Sequence, residues 1–432
     1  MLSVAVLAWF YGYATSANGW FPNDLLLRAW SQADAVNPVK LPVYLHKAVY
    51  EREGATTHQP GSVHAGLTLL ASAWTDVGGE LRPGLRLIDR KGNVLHSWTI
   101  DPVALLDGAP PSIPVKRDLD IQGTYLFPNG DVLINLEYAG TFRLDACGRV
   151  LWGVFANNHH SIARADDGSF WTPAGTRGER GSPGHPDGFP GIGQAVFQDQ
   201  LMRISEDGEV LETVDVLDIL YQNGLEWHLA EEDMLDDIDP THVNDVEPLP
   251  DSLASQYPLF EAGDLLVSMR ELDMVMVVDP ESGRIKWHTT EGLIVQHDPD
   301  FIGDGWIGVF DNRRDGAGGS MLGGSRIVAF QPHTDSTKVL FPTPRSDPFY
   351  TDHRGKWQLL DGNMLLVEEG GGRVVEVAPD GSSVWDWVVE PYGEGRIPAV
   401  TGATRVDLSP EEVAAWPCAH AGSGDTATEG AS

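Results

Sequence analysis

The stretch from Thr241 to Asp300 decides the fold. It reads THVNDVEPLP at 241–250, GDLLVSMRELDMVMVVDPESGRIKW at 263–287 and VQHDPD at 295–300. Short apolar runs are separated by turn residues, and DPESG at 279–283 is typical of a hairpin turn. The pattern predicts short antiparallel strands, with a histidine opening the strand before them and another opening the strand after them.

Similar units recur at intervals of roughly 35 to 60 residues, the range in which propellers and solenoids are found. The other five units begin with GLTLLASAW (66–74), TYLFPNGDVLINL (124–136), HHSIARADDGSFWTPA (159–174), HDPDFIGDGWIGVFDN (297–312) and KWQLLDGNMLLVEEG (356–370). A unit of four strands cannot close its own core, whereas a ring of such units leaves only protected edges. The sequence therefore predicts an all-β, six-bladed β-propeller over residues 60–392. A pair of β-sandwiches is the second choice.

Composition narrows the classes of function. The chain has 432 residues with 42% apolar content, and its formal charge of -34 argues against nucleic acid as a partner because a polyanion would be repelled. The two cysteines, Cys147 and Cys418, form no metal-binding or redox motif. The sequence leaves open whether they pair.

The N-terminal residues predict a membrane anchor. Residues 1–17 are apolar and uncharged, so we expect a signal-anchor helix over 1–20, favoured over a cleaved signal peptide, with the bulk of the chain periplasmic or otherwise extracytoplasmic. Residues 21–59 are predicted to form a juxtamembrane helix and a linker. Residues 393–432 are predicted to form a C-terminal segment with a disordered tail.

Two insertions interrupt the repeat. The segment 175–198 is rich in Gly and Pro and is predicted to be a long surface loop. The segment 216–239 has helical spacing and ends in an acidic cluster just before His242. Either insertion could cover the mouth of the channel.

Alignment of the units brings polar residues into register. When each unit is anchored on its first turn, equivalent steps of the innermost strands surround one channel. His242 precedes Asn244 by two residues, so both side chains lie on the same face of the strand. Arg270 ends the neighbouring antiparallel strand, which places it beside His242. The residues at the shared step are Gln122, His160, Asn244, His297 and Arg354.

Two kinds of chemistry suit three histidines and an arginine in one channel. The set lacks the partners of a serine triad, a phosphate-binding glycine loop and paired carboxylates. A neutral imidazole could act as nucleophile, with the arginine neutralising an oxyanion. Alternatively, three histidines could hold a metal ion with one open position for water.

The chain resembles the bacterial aryl-sulfate sulfotransferases, which use no nucleotide sulfate donor. The resemblance rests on THVND at 241–245, SMR at 268–270 and QHD at 296–298, and it covers most of residues 60–390, including HHS at 159–161 and FDN at 310–312. It implies a six-bladed propeller outside the cytoplasm that acts on phenolic sulfates and phenols without a cofactor or metal.

The resemblance also implies roles for individual residues. His297 matches the nucleophile that forms a sulfohistidine. His242 and Arg270 match residues that hold the sulfuryl oxygens and assist departure of the phenolate, and His160 matches the remaining catalytic histidine. Asn244 and Arg354 are predicted to contact the substrate, Asn244 by orienting a histidine or a sulfate oxygen.

Some alternatives remain open at this stage. A metal-dependent hydrolase or lyase, or a membrane-tethered propeller that binds a ligand without turnover, would fit the same scaffold. The N-terminal β domain that some family members use to dimerise is not visible in this sequence, so the sequence leaves the oligomeric state, including a homodimer, undecided.

Overall fold

The computed structural model describes most of the chain. The described residues are 11, 45–76, 78–113, 115, 119–179, 181–193, 195–230, 239–393 and 395–418. The predicted anchor over 1–20, the helical part of 21–59 and the tail after 418 therefore lie outside the described residues, apart from residue 11. Within the described residues, no helix is long and apolar enough to cross a lipid bilayer.

Six antiparallel sheets form the body of the protein. The first two strands are β1 (Leu45–Lys47) and β2 (Gly54–Thr57). Blade 1 contains β3 (Leu67–Thr75), β4 (Leu81–Ile88) and β5 (Val94–Thr99), and blade 2 contains β6 (Ile121–Leu126), β7 (Val132–Leu136), β8 (Gly140–Leu144) and β9 (Val150–Val154). Blade 3 contains β10 (Ala163–Arg164), β11 (Phe170–Glu179), β12 (Val196–Ile204) and β13 (Val210–Asp215).

The second half of the ring repeats the pattern. Blade 4 contains β14 (Val243–Pro248), β15 (Leu265–Met269), β16 (Met274–Asp279) and β17 (Arg284–Thr289), and blade 5 contains β18 (His297–Phe301), β19 (Ile307–Asp311), β20 (Arg326–Gln331) and β21 (Ser336–Phe341). Blade 6 contains β22 (Trp357–Leu360), β23 (Asn363–Glu368), β24 (Arg373–Val377) and β25 (Ser383–Val388). The last two strands are β26 (Arg396–Pro398) and β27 (Gly402–Val406). The predicted six-bladed propeller is confirmed.

Strands from both ends of the chain close the ring. β27 pairs with β3 and becomes the innermost strand of blade 1, while β2 pairs with β25 at the outer edge of blade 6. β1 and β26 form a separate two-stranded sheet. The blades thus use strands on both sides of the predicted range 60–392: β27 supplies the fourth strand of blade 1, and β2 adds a fifth strand that covers the edge of blade 6.

The turn chemistry repeats as the sequence indicated. At the tight turns between outer strands, an aspartate side chain accepts hydrogen bonds from backbone N–H groups two residues ahead. The pairs are Asp89 with Lys91, Asp145 with Cys147, Asp279 with Glu281 and Asp380 with Ser382.

The core lies mainly between blades. Leu85 and Leu87 of blade 1 share one buried cluster with Ile121 and Ile134 of blade 2. Each such side chain contributes about 1.5 to 3 kcal/mol when fully buried. Packing between neighbours therefore holds the ring and fixes the direction in which the inner strands face the channel.

The long predicted loop is shorter than the sequence suggested. β11 continues to Glu179 and β12 begins at Val196, so the ends of the segment 175–198 form a ladder. Gly175 suits the ladder because a Cβ there would lie 2.4 Å from the Phe197 ring. The helical prediction for 216–239 is confirmed in part, and its residues 231–238 lie outside the described part of the chain. The helices of the described residues are α1 (Pro102–Leu105), α2 (Val216–Gln222), a 3₁₀ helix (Glu226–Ala230), α3 (Asp251–Ala254) and α4 (Pro410–Ala414).

Cys147 and Cys418 form a disulfide. The bond links the turn between β8 and β9 to the segment after α4, across 271 residues of sequence. Trp416 beside it packs against His96 and Trp98 and donates a hydrogen bond from its Nε1 to Pro128 O. The C-terminal segment is therefore fastened to blades 1 and 2.

Candidate active site

A polar cavity of about 240 Å³ lies at the axis of the ring, and we call it the channel cavity. Its walls include His160, His242, Arg270, His297 and Arg354, which are five of the six predicted site residues. A smaller recess shares several of these walls. Every blade contributes to its lining, through Gln122, His160, Asn244, His297, Arg354 and Thr401. The predicted convergence of equivalent positions is present, and Thr401 completes it from blade 1.

The backbone at the inner ends of three blades is strained. His160, His242 and Arg354 have φ values of 53°, 45° and 58°, in the left-handed region that residues other than glycine seldom occupy. Each such residue costs about 1 to 3 kcal/mol, and such strain clusters at functional sites.

The protonation of His297 is set by its neighbours. Asn312 Nδ2 donates to Thr351 O and Arg354 O, so its Oδ1 must be the atom that lies 2.8 Å from His297 Nδ1. Val295 O lies 3.0 Å from the same Nδ1. Two acceptors around Nδ1 require a proton there, so Nε2 carries the lone pair. Arg354 N–H donates to Nε2 at 3.1 Å.

Burial, followed by the charge of Arg270, holds the pKa of His297 well below its usual value. The imidazole is 4% exposed. It is therefore neutral at physiological pH, with its unprotonated nitrogen at the channel axis.

His242 lies in a network of hydrogen-bonded polar residues. Its Nδ1 lies 2.7 Å from Asp239 Oδ2, and the Tyr138 hydroxyl donates to the same carboxylate at 3.0 Å. Burial acts to raise the pKa of Asp239, but the hydrogen bond and charge of His242, together with the charge of His159 and the hydrogen bond from Tyr138, outweigh it, and the pKa is lowered. Arg270 N–H donates to His242 O at 3.0 Å, and the Arg270 guanidinium donates from Nε to Glu271 Oε1 at 2.8 Å.

His160 is connected to a second buried histidine. His160 Nδ1 and His159 Nδ1 lie 2.7 Å apart, and His159 Nε2 lies 3.3 Å from Asp199 Oδ1. Burial, followed by the charges of His159 and His242, lowers the pKa of His160 well below its usual value. The His159 ring stacks on Tyr138 with ring centroids 4.6 Å apart.

Asn244 and Arg354 are held by other contacts. Asn244 Nδ2 donates to Gln296 O at 2.7 Å, and among the described residues its buried Oδ1 has no hydrogen-bond donor. The Arg354 guanidinium is surrounded by carboxylates, at distances of 2.8 Å to Asp120, 3.4 Å to Glu137 and 3.5 Å to Glu369. Those carboxylates hold the guanidinium and balance its charge. The group of Arg354 that contacts His297 is its backbone N–H.

Several residues of the site were not found from the sequence. Tyr138, Glu137 and Glu369 line the channel cavity, and His46 reaches it from β1. The Glu369 carboxylate raises the pKa of His46 through a hydrogen bond. The sequence pattern of residues 21–59 did not indicate that His46 belongs to the site, because β1 reaches the cavity only through its pairing with β26.

A wider cavity of about 420 Å³, which we call the vestibule, shares Tyr138, His242 and Arg270 with the channel cavity. Its other walls include Arg177 and Phe197, whose guanidinium and ring lie 5.0 Å apart. The vestibule thus offers aromatic surfaces next to the polar channel. Among the described residues, no group of three His, Cys, Asp or Glu side chains is arranged to hold a metal ion.

A second polar cluster lies on the inner strands of blades 4 and 5. The Lys356 ammonium pairs with Asp298 and lies 3.7 Å from Asp245. Burial raises the pKa of Asp245 to about 6 and that of Glu247 to about 8, and it raises the pKa of Asp300 well above its usual value. This cluster borders the channel recess through Asp298 and Lys356.

Comparison with known proteins gives a family and related folds. Residues 124–390 match the family model described as Arylsulfotransferase (ASST). No curated protein sequence matches the chain significantly. Solved structures with a similar fold include a Bacteroides caccae protein of unknown function (12% identity, TM-score 0.48, 75% of this chain and 94% of that one). Another is a catalytically inactive virginiamycin B lyase from Staphylococcus aureus with quinupristin (12% identity, TM-score 0.35, 64% and 72%).

Proposed function

Because the chain belongs to the arylsulfotransferase family, we propose that it moves a sulfuryl group from an aryl sulfate ester to a phenolic acceptor through a sulfohistidine. The observation that carries the proposal is the lone pair on His297 Nε2, fixed at the channel axis by the hydrogen bonds of Nδ1. A neutral, oriented imidazole is the form in which histidine acts as a nucleophile.

The first half-reaction forms a nitrogen–sulfur bond and breaks the ester sulfur–oxygen bond. His297 Nε2 attacks sulfur, and the phenolate leaves on the opposite side. The lone pair must leave the Arg354 N–H to do so, and this N–H then lies beside the sulfuryl oxygens. The proton stays on His297 Nδ1, and its hydrogen bond to Asn312 Oδ1 stabilises the positive charge that develops on the ring.

Arg270 and His242 are placed to stabilise the sulfuryl group. Both line the channel cavity with His297, and the charge of Arg270 already affects His297 enough to lower its pKa. The sulfuryl oxygens gain charge in flight, and a guanidinium beside a buried site stabilises that charge more than water would. The Asp239 carboxylate holds the His242 ring in position through Nδ1.

The aryl ring fits the vestibule. Tyr138 and Phe197 line it, and their rings can pack against the ring of a phenol. Asn244 Oδ1, which accepts no hydrogen bond from the described residues, suits a phenol O–H or a histidine N–H better than a sulfuryl oxygen. No contact of the described residues favours a metal-dependent hydrolase or a binding protein without turnover.

We also propose that the protein works outside the cytoplasm. The disulfide between Cys147 and Cys418 supports this location, since such bonds persist in oxidising compartments. Cell fractionation, with the tethered or released form identified by immunoblotting, would test it, and recovery of the reduced protein in the cytoplasm would contradict it.

The test of the activity uses 4-nitrophenyl sulfate as donor and phenol as acceptor. We expect 4-nitrophenol release that accelerates with phenol, formation of phenyl sulfate, and parallel double-reciprocal plots typical of ping-pong kinetics. Absence of phenyl sulfate across a range of donors and acceptors would contradict the proposal.

A further inference from the structure

A chain of three buried side chains leads away from the channel cavity. His160 lines the cavity, His159 Nδ1 lies 2.7 Å from His160 Nδ1, and Asp199 Oδ1 lies 3.3 Å from His159 Nε2. His159 and Asp199 are each 0% exposed, and His160 is 9% exposed. The histidine that faces the substrate site is thus connected to a carboxylate that does not face it.

The carboxylate is oriented toward His159. Thr241 Oγ1 donates to Asp199 Oδ2 at 2.5 Å, and Val243 N–H donates to the same atom at 2.9 Å. The other oxygen, Oδ1, is therefore left for His159. Among the described residues, His159 is the only group capable of positive charge at ion-pair distance from Asp199.

The contact between the two Nδ1 atoms holds one proton, so one ring donates and the other accepts. A buried carboxylate is costly without a compensating cation, and His159 is the group at ion-pair distance that can supply one. With His159 charged, its Nδ1 donates to His160, and its Nε2 faces Asp199 Oδ1 at 3.3 Å, an ion-pair distance without hydrogen-bond alignment. His160 accepts on Nδ1, and its own proton lies on Nε2, the nitrogen left for the channel.

Resting on the proposed sulfuryl transfer, we propose that His159 and Asp199 form a proton relay that supplies the departing phenolate through His160. As the ester sulfur–oxygen bond breaks, His160 Nε2–H protonates the phenolate oxygen. His160 Nδ1 takes a proton from His159 Nδ1, and His159 becomes neutral while its Nε2 keeps its own proton beside Asp199 Oδ1. In the second half-reaction the acceptor phenol gives its proton to His160 Nε2, and the Nδ1 proton returns to His159.

The surroundings limit other routes for this proton. Tyr138 stacks on one side of His159, and the Phe197 ring lies 5.7 Å away at an angle of 58°. Because these rings cover His159 and His160 is its neighbour toward the channel, His159 exchanges its proton through His160. His159 and Asp199 act through His160, so both are positioning residues.

The relay predicts a dependence on the leaving group. Phenol has a pKa of about 10, like tyrosine, and is a poor leaving group without protonation, whereas 4-nitrophenol is far more acidic and leaves readily as the anion. In Asp199→Asn we expect kcat/KM to fall about 100-fold or more with phenyl sulfate and less than about 10-fold with 4-nitrophenyl sulfate. His159→Gln should show the same split.

A matched control is available in the same blade. Asp218 Oδ1 lies 2.6 Å from His185 Nδ1, and neither residue lines the channel cavity. Asp218→Asn removes a comparable carboxylate–histidine pair and should leave the ratio of the two kcat/KM values unchanged. An equal loss with both donors in Asp199→Asn, or no loss, would overturn the relay.

A measurement on the wild-type protein covers the case in which the variants fail to fold. The relay predicts a solvent deuterium isotope effect on kcat/KM that is larger with phenyl sulfate than with 4-nitrophenyl sulfate, and equal effects would overturn it. Failure of the wild-type protein to transfer from either donor would instead refute the proposed function itself.

Discussion

The Nδ1 atom of His297 lies 2.8 Å from the Oδ1 atom of Asn312, and the Asn312 amide is itself fixed by two carbonyl oxygens. The orientation of one amide therefore decides which nitrogen of His297 carries the proton. The proposed nucleophile depends on this contact.

Replacing Asn312 should impair the chemical step. In Asn312→Leu, Nδ1 loses an acceptor and the other tautomer becomes accessible, so we expect kcat/KM to fall about 10² to 10³-fold. In Asn312→Asp the carboxylate would raise the pKa of His297, so the acid limb of the pH–rate profile should move to higher pH. Steady-state kinetics from pH 4 to 9 would check both, and wild-type values in Asn312→Leu would contradict the assignment.

Arg270 should contribute through the shape of its guanidinium as well as its charge. Arg270→Lys keeps the charge and should lower kcat/KM about 10-fold, whereas Arg270→Gln should lower it about 10² to 10³-fold. Initial rates with 4-nitrophenyl sulfate would measure both. If the Lys and Gln variants were equally impaired, the charge would not be the cause.

The ring of six blades could be predicted from the sequence, and so could the meeting of equivalent inner-strand residues at its axis. The repeated Asp-Gly turns mark the blades, and the start of each inner strand can be aligned on them. Equivalent positions then surround one axis, which places His160, Asn244 and His297 together. Thr401 escaped this alignment because β27, the strand that begins directly after it, follows the last repeat and closes blade 1 from outside the predicted range.

Contacts between distant segments could not be predicted in the same way. The contacts of Asp239 with His242, of Asn312 with His297 and of Asp199 with His159 depend on how loops and neighbouring strands pack. Local periodicity carries no information on such pairs. The prediction of a substrate-binding side chain at Arg354 likewise could not foresee the carboxylates that surround it.

The buried carboxylates of blades 4 and 5 should make stability depend on pH. Burial raises the folded-state pKa of Glu247 from 4.5 to about 8, so the folded state binds more protons than the unfolded state between these values. The free energy of unfolding should therefore fall as pH rises through this window. Glu247→Gln, which mimics the protonated form, should raise it by on the order of 2 kcal/mol at pH 9 and change it little at pH 4.

Urea unfolding at pH 4, 7 and 9 would check the Glu247 prediction, with Glu281→Gln on the exposed turn between β16 and β17 as the control. A Glu247→Gln variant less stable than the wild type at pH 9 would mean that the charged form is the one favoured by the fold.

The disulfide should stabilise the closed ring. It joins residues 271 apart in sequence and fastens the segment after α4 to blade 2. We expect Cys418→Ser to lower the free energy of unfolding by about 2 to 4 kcal/mol. Cys147→Ser and the double variant should show the same decrease in the free energy of unfolding, because each of the three variants removes the same disulfide. Additive losses in the double variant would contradict this account.

The most direct test is mass spectrometry of the protein trapped with 4-nitrophenyl sulfate in the absence of an acceptor. We predict a mass increase equal to one SO₃ group, located at His297 by peptide fragmentation, lost when phenol is added and absent from His297→Ala. Turnover without any adduct, or an adduct on a different residue that persists in His297→Ala, would contradict the central claim.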